Sequence, residues 1–122
     1  MDNDRLAGVY TAFDANAVYT LEGCDAVVVG TAMTARRAVD ALATRCLRVV
    51  WLTGSLHPRT THPNVRILRD IELLSVDGVA RVECVLLVRK RTGRVLAMNA
   101  SAVFLLRNDR ESLRSREKPA QP

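Results

Sequence analysis

The stretch from Asp25 to Leu52 constrains the fold more than any other part of the chain. It begins with an apolar run, Ala26 to Val29, that does not alternate with polar residues and therefore predicts a strand buried on both faces, Asp25 to Gly30. Apolar residues then recur with helical spacing between Ala32 and Arg45, and a second apolar run extends from Leu47 to Leu52. Strand, helix and strand within about 30 residues predict a βαβ unit with parallel strands.

The pattern of apolar and polar residues changes after this unit. Thr53 to Asn64 is rich in Pro, Gly and Thr and is predicted to be a loop, and a short strand is predicted from Val65 to Arg69. Beyond it, apolar and polar residues alternate in runs separated by Asp-Gly and Thr-Gly turn signals, which is typical of an antiparallel meander. The predicted strands are Glu72 to Val76, Arg81 to Arg89, Arg94 to Asn99 and, as a last buried strand, Ala102 to Leu106.

The composition argues against several classes of protein. The apolar runs are far shorter than the roughly 20 residues of a membrane span. The first residues, Met1 to Gly8, lack the basic and apolar regions of a secretory signal, so we expect a cytoplasmic protein without membrane attachment. The net charge of +5 favours attraction to phosphates or acidic partners.

Four basic residues cluster at one predicted turn: Arg89, Lys90, Arg91 and Arg94. Nucleic-acid-binding surfaces usually interleave aromatic residues with such charge, and aromatic residues are only 4% of this chain. A solvated hairpin tip is therefore favoured over a nucleic-acid contact.

The cysteines and histidines predict neither a disulfide framework nor a metal site. The three cysteines form no C-x-x-C pair, and each lies in or beside an apolar segment, so we expect packed thiols at Cys24, Cys46 and Cys84. His57 and His62 flank a proline-containing loop without a cysteine or carboxylate at ligand spacing.

The order of the elements resembles the pyridine-nucleotide-binding domain of the low-molecular-weight thioredoxin reductase family. The resemblance covers Gly8 to Asn108 and rests on the segments "GVYTAFDANAVYTLEGCDAVVVGTAMTARRAV", "HPNVRIL", "VDGVARVECVLLVRKRTGRV" and "AVFLL". It implies an α/β fold, a Rossmann-like parallel βαβ sheet with an antiparallel β-meander. The implied division is a lead-in segment at 1–23, a Rossmann-like nucleotide-binding domain at 24–107, and a polar, disordered tail at 108–122.

The resemblance also implies a dinucleotide site and shows where this chain departs from the family. The family's redox cysteines would fall at Phe13 and Asn16, so no catalytic residue and no independent disulfide reductase activity are expected. Ala32 replaces the second glycine of the phosphate turn. Neither the family's basic residues nor an acidic residue faces the ribose, and Arg59 is the only charge nearby. The implied cofactor-binding residues are Gly30, Thr31, Ala32, Met33, Thr34, Thr53, Gly54 and Ser55.

These departures predict a degenerate, stand-alone nucleotide-binding domain with at most weak affinity for NADP or NAD. In the family, an FAD-binding domain flanks this one on both sides, so FAD is expected only through a partner chain. The family's helix after the second strand is replaced by the Pro-rich loop, which predicts a thinly covered sheet face open to a partner. Three alternatives stay open: a protein-interaction module that binds a partner protein or a second copy, the nucleotide half of a split flavin-dependent oxidoreductase, and a decaying reductase.

Overall fold

The computed structural model describes residues 6–31 and 33–106. Eight strands and two α-helices lie within them: β1 (Val9–Tyr10), α1 (Ala15–Val18), β2 (Asp25–Val29), α2 (Met33–Ala43), β3 (Arg48–Leu52), β4 (Val65–Leu68), β5 (Ile71–Asp77), β6 (Cys84–Arg89), β7 (Val95–Asn99) and β8 (Ala102–Leu105). The strands form a parallel sheet in the order β1-β8-β2-β3-β4 and an antiparallel sheet in the order β5-β6-β7. The tail predicted at 108–122 lies outside the described residues.

The predicted βαβ unit is confirmed. β2 and β3 pair in parallel, with Asp25 opposite Arg48 and Val29 opposite Leu52. The apolar stripe of α2 is completely buried; its members are Ala35, Ala38, Val39 and Leu42. The helix packs this stripe against the sheet because the four side chains share one face at helical spacing.

The antiparallel meander is also confirmed, but its middle strand begins three residues later than predicted. β6 starts at Cys84 because Arg81 and Val82 pair with a different part of the chain. Arg81 forms a parallel bridge with Ala7, and the Val82 N–H donates to the Ala7 carbonyl at 2.9 Å. These backbone groups are therefore not available to extend the β5–β6 ladder.

The short strand β1 was not predicted. Val9 and Tyr10 pair in parallel with Val103 and Phe104, and the Tyr10 ring stacks on the Phe104 ring with centroids 4.6 Å apart. Two residues are too few to show an alternating pattern, so only the pairing with β8 defines this strand.

The five-stranded sheet separates two apolar clusters. On the α2 side, the buried side chains include Val28, Trp51 and Phe104. On the other side, Val27 and Val103 are buried against β5 and β6. The antiparallel sheet covers the face opposite α2, whereas a right-handed connection from β3 to β4 lies on the α2 side. On that side Val65 and Ile67 of β4 are only partly buried, and the expectation of a thinly covered face stays a prediction there.

Candidate functional site

The candidate site lies where β2 and β3 end and α2 begins. Parallel strands bring their carboxyl ends to the same edge of the sheet, which is where α/β proteins bind ligands. Gly30 follows β2 and is tied to β3 twice: its N–H donates to the Leu52 carbonyl at 3.2 Å, and its carbonyl accepts the Trp51 indole N–H at 2.9 Å. These bonds fix the turn into α2 relative to the end of β3.

Position 30 requires a glycine for two reasons: the backbone conformation there, and the lack of room for a Cβ atom. Its φ is +151°, a value that residues with a side chain rarely adopt. A Cβ at this position would overlap the backbone carbonyl of Leu106, which follows β8, and would approach Ala35 Cβ to 3.3 Å. The glycine therefore lets three segments meet at the start of α2.

A pocket of about 120 Å³ opens beside this turn. Its lining residues are Thr31, Met33, Arg36, Trp51, Thr53, Leu56 and Pro58. The fold thus brings three sequence-derived candidates, Thr31, Met33 and Thr53, to one cavity.

The other candidate positions lie around this pocket or outside the described residues. Gly54 and Ser55 are exposed after β3, and a Cβ on Gly54 would lie 4.0 Å from Thr31 Cγ2. Thr34 is exposed in the first turn of α2 and is not among the residues that line the cavity. Ala32 lies outside the described residues.

The Thr53 hydroxyl is already engaged within the chain. The residue is 0% exposed, and its Oγ1 donates to the Leu56 carbonyl at 3.0 Å. Its backbone N–H donates to the Leu68 carbonyl at 3.3 Å. Thr53 therefore holds the loop after β3 in place and gives the pocket part of its wall.

Arg36 is the site residue that sequence reasoning missed. From the sequence, Arg59 was named as the only nearby charge. In the structure, Arg36 Nη2 donates to the Arg59 backbone carbonyl at 2.6 Å, and its guanidinium carbon lies 5.4 Å from the centre of the Trp51 ring. The sequence could have pointed to Arg36 through its position. It is a basic residue in the first turn of α2, next to buried Ala35, and such a residue is well placed to reach the end of β3.

The electrostatics of the pocket favour an anion. The described residues that line it include one cation, Arg36, and no acidic side chain. The first turn of α2 contains no acidic residue either. Free backbone N–H groups and the helix dipole also give the start of α2 partial positive charge. The helix start and Arg36 therefore both attract an anion.

The thiols of the chain lie away from this pocket. All three cysteines are free, and none lines the pocket. Burial raises the pKa of the Cys46 thiol to about 11, with further contributions from Cys24 and Asp25. Since the thiolate is the nucleophilic form, Cys46 is an inert packed thiol at neutral pH.

Neither position of the family's redox pair carries a sulfur. Phe13 packs against Phe104 with ring centroids 6.2 Å apart. Asn16 lies in α1, where its backbone N–H donates to Asp14 Oδ1 at 2.9 Å. The Phe13 side chain serves packing, Asn16 contributes only its backbone N–H to the helix cap, and neither side chain can take part in thiol exchange.

Another cavity, of about 440 Å³, lies away from the candidate site. It is at the amino ends of β2, β3 and β4, beside the Asp25–Arg48 ion pair of 3.2 Å, and includes none of the candidate residues. Within residues 6–31 and 33–106, no group of three or more His, Cys, Asp or Glu side chains could hold a metal ion. No helix in these same ranges has the length and apolarity that crossing a membrane requires.

Comparison with solved structures identifies the fold. Thioredoxin reductase from Lactococcus lactis superimposes with a TM-score of 0.75 at 13% identity, over 84% of this chain and 37% of that one. Thioredoxin reductase from Gloeobacter violaceus gives 0.70 at 23% identity, over 80% and 32%. The fold is that of one part of a thioredoxin reductase. A bacillithiol disulfide reductase from Staphylococcus aureus is also similar, with 0.69 at 17% identity, over 92% and 38%.

This likeness confirms the predicted α/β fold, with its parallel sheet and antiparallel meander. The chain spans about a third of the length of these thioredoxin reductases and of the bacillithiol disulfide reductase. No protein-family model and no curated protein sequence matches the chain. The likeness is therefore structural, and it establishes the arrangement of elements around the candidate site.

Proposed function

We propose that this chain is a nucleotide-binding domain that holds NADP or NAD weakly at the pocket between α2 and the end of β3. The observation that carries the proposal is the Arg36 guanidinium beside Trp51, at a helix start that follows a parallel strand. Helix starts in this position bind the phosphates of dinucleotides in many α/β proteins. The fold shared with thioredoxin reductases supports the same choice of ligand.

The residues fit part of a dinucleotide. A volume of about 120 Å³ is below the 300–1,000 Å³ of most small-molecule sites, so the pocket takes a phosphate or a ribose rather than the whole ligand. Thr31 and Arg36 would hold the phosphate, and the exposed Gly54 and Ser55 would border the ribose. With few enclosed contacts, we expect a dissociation constant of about 1 mM, or roughly −4 kcal/mol.

The proposal does not include disulfide reduction at Phe13 and Asn16. A bound nicotinamide dinucleotide can supply a hydride, but neither of these side chains can form a disulfide or exchange with one. The role proposed for this part of the chain is to bind and orient the nucleotide. The proposal thus includes the replacement of the family's two redox cysteines by Phe13 and Asn16.

A titration with NADP⁺ and NAD⁺ tests the proposal. Trp51 is the chain's only tryptophan, so its fluorescence reports on the pocket directly, and calorimetry gives an independent measure of affinity. We expect a saturable response that Arg36→Gln weakens. Arg37→Gln removes the same charge from an exposed position on the same helix and should leave the affinity unchanged. The absence of heat and of a fluorescence change at several times the expected dissociation constant of about 1 mM would refute nucleotide binding.

A protein-interaction module is the second candidate function, and the rim of the pocket favours it. Met33 is 63% exposed and Leu56 is 51% exposed, and both line the same cavity. Contiguous exposed apolar patches mark protein-binding surfaces, and these two side chains border one cavity. Sedimentation at increasing concentration tests self-association: a dimer that Met33→Ser with Leu56→Ser abolishes would support a second copy as the partner. A monomer at every concentration would argue against it.

A further inference from the structure

A third cavity, of about 400 Å³, shares no residue with the candidate nucleotide pocket. Its lining includes four arginines, Arg66, Arg69, Arg89 and Arg91, and one acidic residue, Asp70. We call it the arginine cavity. The sequence showed only the Arg89–Arg91 part of this charge, as a hairpin tip.

The chain builds the arginine cavity where it passes from the parallel to the antiparallel sheet. β4 ends at Leu68, and Asp70 has a φ of +58°, which turns the chain sharply before β5 begins at Ile71. Ile71 then pairs with Arg89, and the Lys90 N–H donates to the Asp70 carbonyl at 3.0 Å. This pairing fixes the β6–β7 hairpin beside the end of β4.

Most of the positive charge around the cavity is uncompensated. Arg66, Arg89 and Arg91 are exposed, and none makes a side-chain hydrogen bond or ion pair with any residue in the described part of the chain. Arg69 Nη1 lies 2.6 Å from His57 Nε2, a contact with another nitrogen base rather than a carboxylate. Glu72, which does not line the cavity, has its Oε2 4.0 Å from Lys90 Nζ.

We infer that the arginine cavity binds a compact anion that carries two or more phosphate groups. Guanidinium groups bind phosphate oxygens through paired N–H donors, and an anion with several phosphates offers oxygen pairs to more than one of the four arginines that line the cavity. The volume lies within the range of small-ligand sites. None of the described lining residues is aromatic, so the bases of a nucleic acid would find no stacking surface. The inference does not rest on the proposed nucleotide pocket.

Calorimetric titration with inorganic triphosphate at about 0.15 M salt tests the inference under screened conditions. We expect one saturable site. Arg66→Ser on β4 and the double variant Arg89→Ser/Arg91→Ser on the hairpin should each weaken binding at least tenfold. Arg37→Ser, which removes a matched charge from the exposed face of α2, should change affinity less than twofold. Unchanged circular dichroism and thermal unfolding would show that the exposed variants remain folded.

The inference fails if triphosphate shows no saturable binding or if Arg37→Ser weakens it as much as the cavity variants. It also fails if a single-stranded oligonucleotide or an oligoglutamate of equal charge binds more tightly than triphosphate, since either result points to a macromolecular partner. NADP⁺ titration of Arg66→Ser separates the two proposals. Loss of triphosphate binding with unchanged NADP⁺ binding supports two distinct sites.

Discussion

The indole N–H of Trp51 donates to the backbone carbonyl of Gly30 at 2.9 Å in buried surroundings. This bond joins the end of β3 to the turn that follows β2, two points separated by 21 residues in the chain. The Arg36 guanidinium carbon lies over the same ring, 5.4 Å from its centre. One side chain therefore positions both the backbone turn and the cation of the candidate pocket.

Replacing Trp51 with Phe should destabilise the fold by about 1–3 kcal/mol, because the buried Gly30 carbonyl loses its side-chain donor. Urea unfolding followed by circular dichroism measures this loss. The variant should also lower nucleotide affinity in calorimetry, since Arg36 loses part of its aromatic support. An unfolding midpoint equal to that of the wild type would show that this bond does not fix the turn.

Gly30→Ala should destabilise the protein more than a glycine substitution in an open turn. The new Cβ meets the Leu106 carbonyl in a positive-φ conformation, and backbone strain alone costs about 1–3 kcal/mol. Gly23→Ala is the matched control, because Gly23 also has a positive φ, +76°, but a Cβ added there would have no neighbouring atom within 4 Å. Equal unfolding free energies for the two variants would contradict the close approach of Leu106.

Tyr10→Ala should destabilise the protein by about 1–3 kcal/mol, because Tyr10 is partly buried and stacks on Phe104. Thermal and urea unfolding measure the change. Tyr19→Ala removes a ring that is 62% exposed and contacts Arg45, so it should cost less than about 1 kcal/mol. A larger loss of stability for Tyr19→Ala than for Tyr10→Ala would contradict the stabilising role of the Tyr10 ring in β1.

Stability should fall as the pH rises from 9 to 11. Burial raises the Cys46 pKa from 9.0 to about 11, so over this interval the folded chain keeps a proton that the unfolded chain releases. The contribution of the protonated Cys46 thiol to the free energy of unfolding is complete below pH 9, and it is lost as the pH rises through the folded-state pKa of about 11. Urea unfolding across this interval should therefore show a steeper decline for the wild type than for Cys46→Ala. Parallel pH profiles for the two proteins would rule out this assignment.

The sequence could predict the elements whose pattern is local. The apolar run at Ala26 to Val29 marked β2, the stripe from Ala35 to Leu42 marked α2, and alternation marked the meander. Each depends on side chains at periods of about 2 or 3.6 residues, which are visible without tertiary contacts. Gly30 was named from the family resemblance, and its positive φ and the nearby Leu106 carbonyl became visible only in the structure.

Tertiary structure decided the features that join distant residues. β1 exists because Val9 and Tyr10 meet β8, and the hydrogen bond from the Val82 N–H to the Ala7 carbonyl sets the start of β6. Arg36 reaches the candidate pocket because Trp51 lies across from α2, and the arginine cavity forms because Asp70 turns β4 into β5 beside the hairpin. Local periodicity determines which residues form a strand or a helix. It cannot determine which elements pack together, because that choice depends on burial and hydrogen bonding across the whole core.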